Sequence, residues 1–306
     1  MRLPLIAAPM FRVSGPDLVI AACRSGVVGA FPTSNARTVD ELDEWLTRIE
    51  RALEAPSGAP FCANLIVRQA RLAEDLACLV RHRVEFVIAS VGSPASIVPP
   101  LHEVGALVFA DVATLRHAEK AVAAGADGLI LLTAGAGGQT GWMNPFAFVR
   151  AVRNIFDGPL VLAGGIGDGR SLLAAQILGC DLGYMGTRFI ATHESLANHA
   201  YKAMLVHASL DDVMLTSAFT GLRTNMLMPS IVAAGLDPLT LDEQVTPDRA
   251  TEMFGAKQAE RPSRWRDVWS AGHSVSAVRD IVAVADLVDT IEAEYRAARE
   301  LLATYL

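Results

Sequence analysis

Eight short apolar runs punctuate the first two thirds of the chain: Leu5–Ala7, Val27–Phe31, Phe61–Leu65, Val84–Ala89, Leu107–Ala110, Gly128–Leu132, Leu160–Ala163 and Leu182–Met185. They are continuous rather than alternating, the pattern of strands buried on both faces. Their starts lie 22, 34, 23, 23, 21, 32 and 22 residues apart. That leaves room for one helix between successive strands, as parallel βαβ units require. The intervening segments carry helical marks. Asp40–Leu53 places Leu42, Trp45, Leu46, Ile49 and Leu53 at helical spacing with charges between them. Thr114 is a candidate N-cap for Thr114–Ala124. Asn144 caps Pro145–Ile155, with Pro145 at the first helical position. Gly169–Leu178 is a short helix stopped by Gly179.

Eight parallel strands alternating with helices predict an α/β fold of the (β/α)8, or TIM-barrel, type. A doubly wound open sheet is the alternative. It would carry a GxGxxG directly after the first strand, where Ala8-Pro9-Met10 stands instead. The expected organisation is a barrel over residues 1–195, a helical or loop insertion near the active site over 196–275, and a C-terminal helix over 276–306 that packs back on the barrel. Glu194–Leu210, Leu215–Met228 and Ala277–Leu306 read as mainly helical, and Pro229–Leu239 and Lys257–Trp265 as loops.

Composition narrows the classes. Of 306 residues, 52% are hydrophobic and 19% charged, enough for a large core and too apolar for disorder. The net charge of −7 offers no general basic field, so neither a nucleic-acid nor a membrane-surface partner is expected. No apolar run approaches the roughly 18–20 residues of a membrane span. Ile20-Ala21-Ala22-Cys23 has the outline of a lipoprotein cleavage site, but Pro16 and Asp17 interrupt the apolar stretch such a signal needs. The four cysteines (Cys23, Cys62, Cys78, Cys180) lack ligand-like spacing, so no disulfide framework or metal site is expected, and a cytoplasmic location follows.

Barrel active sites lie at the C-terminal ends of the strands. Here those ends read Ala8-Pro9-Met10, Asn64, Asp111, Thr133 to Gly141, Gly164-Gly165-Ile166-Gly167-Asp168-Gly169 and Met185-Gly186-Thr187-Arg188. Glycines after the seventh and eighth strands suit a phosphate site, because backbone N–H groups can approach the oxygens without a Cβ in the way. Thr187 adds a hydroxyl. The stretch Gly135-Ala136-Gly137-Gly138 can run flat against a planar ligand. Phosphate plus a flat ring describes a nucleotide-like cofactor. Asp168 reads as a helix cap, Asp127 as a structural residue at the barrel's bottom, and His193 and His199 as surface residues. Trp142, Met143, Phe146 and Phe148 are open to two readings, a substrate wall or helix packing.

Taken together, Pro4-Leu5-Ile6-Ala7-Ala8-Pro9-Met10, Ala126-Asp127-Gly128, Ala136-Gly137-Gly138-Gln139-Thr140-Gly141, Ala163 to Arg170 and Met185-Gly186-Thr187-Arg188-Phe189 resemble the nitronate monooxygenase (2-nitropropane dioxygenase) family. Trp269-Ser270-Ala271-Gly272 resembles a later family segment that returns to the active site. The resemblance implies an FMN-dependent barrel oxidising small alkyl nitronates with O2. It implies that Ala8, Pro9, Met10 and Asn64 lie by the isoalloxazine, with Gly138 in the flat loop, and that Gly164, Gly165, Gly186 and Thr187 hold the phosphate. Relatives include FMN-dependent enoyl-acyl-carrier-protein reductases and NADH:quinone reductases, so an NAD(P)H-dependent reductase of an enoyl thioester or quinone is the alternative. A flavin-free lyase or isomerase acting on a phosphorylated metabolite is a second, although no lysine stands at a strand end for Schiff-base chemistry. A small-molecule substrate, O2 or NAD(P)H as second redox partner, and a homodimer complete the expected partners.

Two positions depart from the family pattern. Its catalytic histidine after the sixth strand is here Gln139, which hydrogen-bonds but takes no proton at neutral pH. His273 is the candidate substitute acid/base. Asp111 stands where some relatives place lysine.

Overall fold

The computed structural model describes residues 1–54, 58–254 and 262–305. Eight parallel strands close into a barrel in chain order: β1 (Leu5–Ala7), β2 (Val28–Pro32), β3 (Phe61–Ile66), β4 (Phe86–Ser90), β5 (Leu107–Val112), β6 (Gly128–Leu132), β7 (Leu160–Ala163) and β8 (Leu182–Met185). β8 returns to β1 through the pairs Leu5↔Gly183 and Ala7↔Met185. This is the (β/α)8 fold, and the open-sheet alternative falls with that closure.

The apolar runs are explained by where their side chains go. Alternate residues such as Ile6, Ala30, Ile88, Ile130 and Val161 fill the barrel interior. Their neighbours face the helices, among them Leu5, Leu129 and Leu131 in one shell and Ala63, Leu65 and Val87 in another. Phe86 and Phe109 meet edge to face at 4.7 Å inside the barrel.

The helical caps form as the sequence predicts. Thr114 accepts the His117 N–H, Asn144 accepts the Phe146 N–H, and Asp168 with Ser171 makes a capping box. Asp127 sits at the lower end, accepting the Val108 N–H at 2.7 Å and bonding His102 at 2.9 Å. A long helix, Val284–Ala303, buries Val284, Leu287, Val288 and Ile291 in the outer shell, packed against the helices Gly169–Leu178 and Pro16–Arg24.

The region after the barrel departs from the helical expectation. Leu215–Met228 is a β-hairpin, β9 (Val213–Thr216) and β10 (Thr224–Leu227), antiparallel with Thr216 opposite Thr224. Short apolar runs are ambiguous between helix and strand. Here the β-branched Thr216, Thr220 and Thr224, and Gly221 in the turn, decide for strand. Pro229–Leu239, expected as loop, contains the helix Met228–Ala233, which Pro229 starts at an N-terminal position. Glu194–Leu210 is helical over His199–His207 only, begun by Asn198. Of the expected loop Lys257–Trp265, positions 257–261 lie outside the described residues. Among the described residues no helix is long and apolar enough to cross a membrane.

Candidate active site

The strand ends open into a cavity of about 990 Å³. Ligand sites typically span ~300–1,000 Å³, so there is room for a cofactor and a substrate together. Ala8, Pro9 and Met10 after β1 line it, with Asn64 from β3 and Asp111 from β5. So do Gly138 and Gln139 after β6, Gly164 and Gly165 after β7, and Gly186 and Thr187 after β8. The structure thus gathers in one space ten of the eleven residues the sequence offers for catalysis or cofactor binding, together with Asp111.

The eleventh candidate falls outside. His273 is exposed and is not part of the cavity lining; its ring rests against Gly135 while Ser274 faces in. Its backbone does the local work, the N–H donating to Gly135 O at 2.9 Å. Of the aromatic candidates, Trp142 lines the cavity, whereas Phe148 and Met143 belong to the helix–barrel core and Phe146 is exposed. His193 and His199 are exposed.

The loop after β6 is held rather than free. Gly138 and Gln139 pair antiparallel with Asn225 and Thr224 of β10. Asn225 Nδ2 donates to Ala136 O at 2.8 Å. The segment Ala271–Gly272 closes over the loop so tightly that a Cβ on Gly137 would lie 2.8 Å from Gly272 N. Gly137 is therefore glycine for backbone packing, while the open side of Gly138 meets nothing within 4 Å.

A similar division holds after β7. Gly164 has φ +125°, and a Cβ there would meet Thr133 Oγ1 at 2.4 Å. Gly165, at φ +76°, has empty space where a Cβ would stand. Among the described residues the N–H groups of Gly165, Ile166 and Gly186 find no partner in the chain. Three unspent donors on residues that line the cavity suit an oxyanion such as a phosphate. Thr187 Oγ1 accepts the Gly272 N–H at 2.9 Å, which leaves its own hydrogen to donate.

The remaining walls have distinct characters. Asn64 Nδ2 donates to Ile88 O at 3.2 Å, and its Oδ1 accepts the Ser90 hydroxyl at 3.3 Å. Tyr201 and Trp269 stack at 5.0 Å and 13°, and the Tyr201 hydroxyl donates to Ser270 O. Burial pushes that phenol up to about 12, so it is a donor and not a base. Tyr201 was not legible as a site residue, because its helix reads as solvated. Arg68, Lys120 and Arg223 also border the cavity, exposed and outside every ion pair among the described residues. Asp111 is raised to about 7 by burial.

A barrel closed in this way, with its cavity at the strand ends and unspent backbone donors after β7 and β8, defines a (β/α)8 barrel with a binding cavity where such folds carry their sites. The nitronate monooxygenase family model matches residues 73–294, and the chain belongs to that family. It is 26% identical to the nitronate monooxygenase of Paraburkholderia phytofirmans, covering 98% of this chain and 94% of that one. It is 29% identical to a Mycobacterium tuberculosis protein named (3aS,4S,5R,7aS)-5-hydroxy-7a-methyl-1-oxo-octahydro-1H-indene-4-carboxyl-CoA dehydrogenase, over 75% of this chain. The chain spans 64% of that dehydrogenase's length. Among solved structures it is similar to FabK from Thermotoga maritima, with a TM-score of 0.85 and 26% identity over 100% of this chain and 96% of that one.

Proposed function

We infer that the chain is an FMN-dependent oxidoreductase that oxidises small alkyl nitronates with O2. The observation that carries this reading is the pairing of free backbone donors at Gly165, Ile166 and Gly186 with a cavity large enough for a ring system beside them. Gly164, Gly165, Gly186 and Thr187 would hold the phosphate. Ala8, Pro9, Met10, Asn64 and Gly138 would lie along the flavin ring. The bound flavin supplies the electron acceptor for the substrate and the donor for O2.

The chain's own residues set the substrate's state. Gln139 extends from the pinned loop into the cavity, where its amide can donate to a nitronate oxygen. It cannot remove the α-proton of a neutral nitroalkane. A nitronate arrives already deprotonated and needs no base. Met10, Ile66, Trp142 and the Tyr201–Trp269 stack give the cavity apolar walls that keep water from the reacting carbon. Oxygen uptake with ethyl nitronate and with nitroethane at equal concentration tests this. Uptake with the nitronate and little with nitroethane is expected; equal rates would overturn the role given to Gln139.

A second reading, an NAD(P)H-dependent reductase of an enoyl thioester, is favoured by the unpaired Arg68, Lys120 and Arg223 at the cavity margin. Three cations in a chain of net charge −7 suit a phosphate-bearing substrate. The carboxyl-CoA substrate in the dehydrogenase's name agrees with it. Flavin reduction by NADH or NADPH without any nitronate would select this reading.

A further inference from the structure

We propose that Asp111 is the proton-linked anion receptor of the cavity: as a neutral carboxylic acid it donates a hydrogen bond to an oxygen of the anionic substrate, and as a carboxylate it repels that substrate. The proposal rests on the flavin oxidoreductase reading and adds to it the residue that recognises the negative end of the substrate.

The geometry is specific. Asp111 stands near the C-terminal end of β5, one residue beyond the Ala110↔Ala89 pair with β4 and opposite Ile130 of β6, and it lines the cavity. Its Oδ1 is fully buried and has no hydrogen-bond partner. Among the described residues no hydrogen bond to the Asp111 side chain forms, and the polar Asn64 and Ser90 that line the same cavity are bonded to each other. Asn64 gives one amide hydrogen to Ile88 O, and Ser90 gives its hydroxyl to Asn64. Asp111 is half-buried, with Oδ1 shut away from both water and donors, so the charged form is costly and the site favours the neutral acid. A neutral acid has one hydrogen to give, and among the described residues nothing is bonded to it. That is a donor waiting for a ligand oxygen, as in enzymes that keep a carboxylic acid protonated to bind an oxyanion.

The groups around it agree. Cys62 on β3 and Tyr184 on β8 face the same interior, and both are pushed up by burial and then by the charge on Asp111, so neither is an anion that competes for its proton. The cations of the cavity, Arg68, Lys120 and Arg223, and His117 beside Lys120 on the helix after β5, lie at the margin. Burial is the one cause acting on Asp111, with no ion pair to any of them. Asp111 is therefore the acidic group of the cavity lining whose charge would oppose entry of a second negative charge.

The test uses the flavin-loaded protein and propionate, a non-reacting isostere of ethyl nitronate that stays ionised across neutral pH. Propionate binding is measured by calorimetry in two buffers of different protonation enthalpy, on wild type, Asp111→Asn and Asp111→Ala. In wild type, binding above neutrality is expected to take up close to one proton, and affinity to fall about tenfold per pH unit once the carboxyl ionises. Asp111→Asn keeps a donor of the same shape and no charge. It should bind without proton uptake and with flat affinity across the range. Asp111→Ala should bind weakly at every pH. Proton uptake that persists in Asp111→Asn, or no propionate binding to wild type, overturns the proposal. The absorbance spectrum of the same samples reports the flavin separately, so loss of the cofactor reading is distinguishable from loss of this one.

Discussion

At residue scale the site divides glycines by what their missing side chains would meet. Gly164→Ala collides with Thr133 and Gly165→Ala collides with nothing, although both backbones are left-handed. Gly165→Ala should therefore cost only about 1 kcal/mol of backbone strain. Its added methyl would still crowd the cradle, so FMN affinity should fall several-fold while the protein remains folded. Equilibrium dialysis of FMN against chemical denaturation separates the two effects. Gln139→His restores the residue the family pattern carries there. It should raise turnover of nitroethane relative to ethyl nitronate, read as the ratio of the two kcat/KM values. Most of these positions were legible in the sequence because strand ends in a barrel are functional by construction. His273 was misread because a histidine near a motif carries no information about which way its ring turns. Its backbone, hydrogen-bonded to Gly135, holds the segment, and its ring is left outside.

At the scale of elements the site depends on one covering layer. β10 pairs with Gly138–Gln139, Asn225 bonds Ala136 O, and Thr187 bonds Gly272 N–H. Each of these joins a barrel loop to chain far away in sequence. Asn225→Ala leaves the buried Ala136 carbonyl without its donor, a loss of roughly 1–3 kcal/mol. Greater hydrogen exchange in residues 135–139 than in the barrel strands should accompany it. Thr187→Val should release Gly272 and loosen 270–274 in the same assay. The hairpin was not legible. Its residues form a short, mixed apolar run that fits either period, and its partner strand is two residues long and paired across a long loop. The barrel strands were legible because burial on both faces leaves a continuous apolar signature that chance does not repeat eight times at helical intervals.

At the scale of the whole molecule, Asp111 links stability to pH. The carboxyl is raised from 3.8 to about 7 by burial. The unfolded chain loses that proton first, so as pH rises from about 4 to about 7 the folded state is penalised, and the penalty is complete above 7. Three pH units correspond to as much as about 4 kcal/mol in the unliganded protein. Asp111→Asn should match wild type in acid and exceed it above neutrality, as measured by urea unfolding at both pH values. No difference at high pH would mean that the carboxyl is solvated. The closed barrel also explains why the cavity can be polar at its floor and remain stable. The strand ladder and helices supply the core, and the helix Val284–Ala303 adds four buried apolar residues packed against the helix that follows β7.

The most direct measurement is the visible absorbance spectrum of the purified protein, with FMN added if needed, during anaerobic addition of ethyl nitronate. The expected result is an oxidised-flavin spectrum that bleaches with the nitronate and returns when O2 is admitted. A protein that stays colourless and binds no added FMN would contradict the cofactor assignment. A flavin that stays oxidised in nitronate and bleaches with NADH or NADPH would contradict the nitronate assignment and establish the reductase.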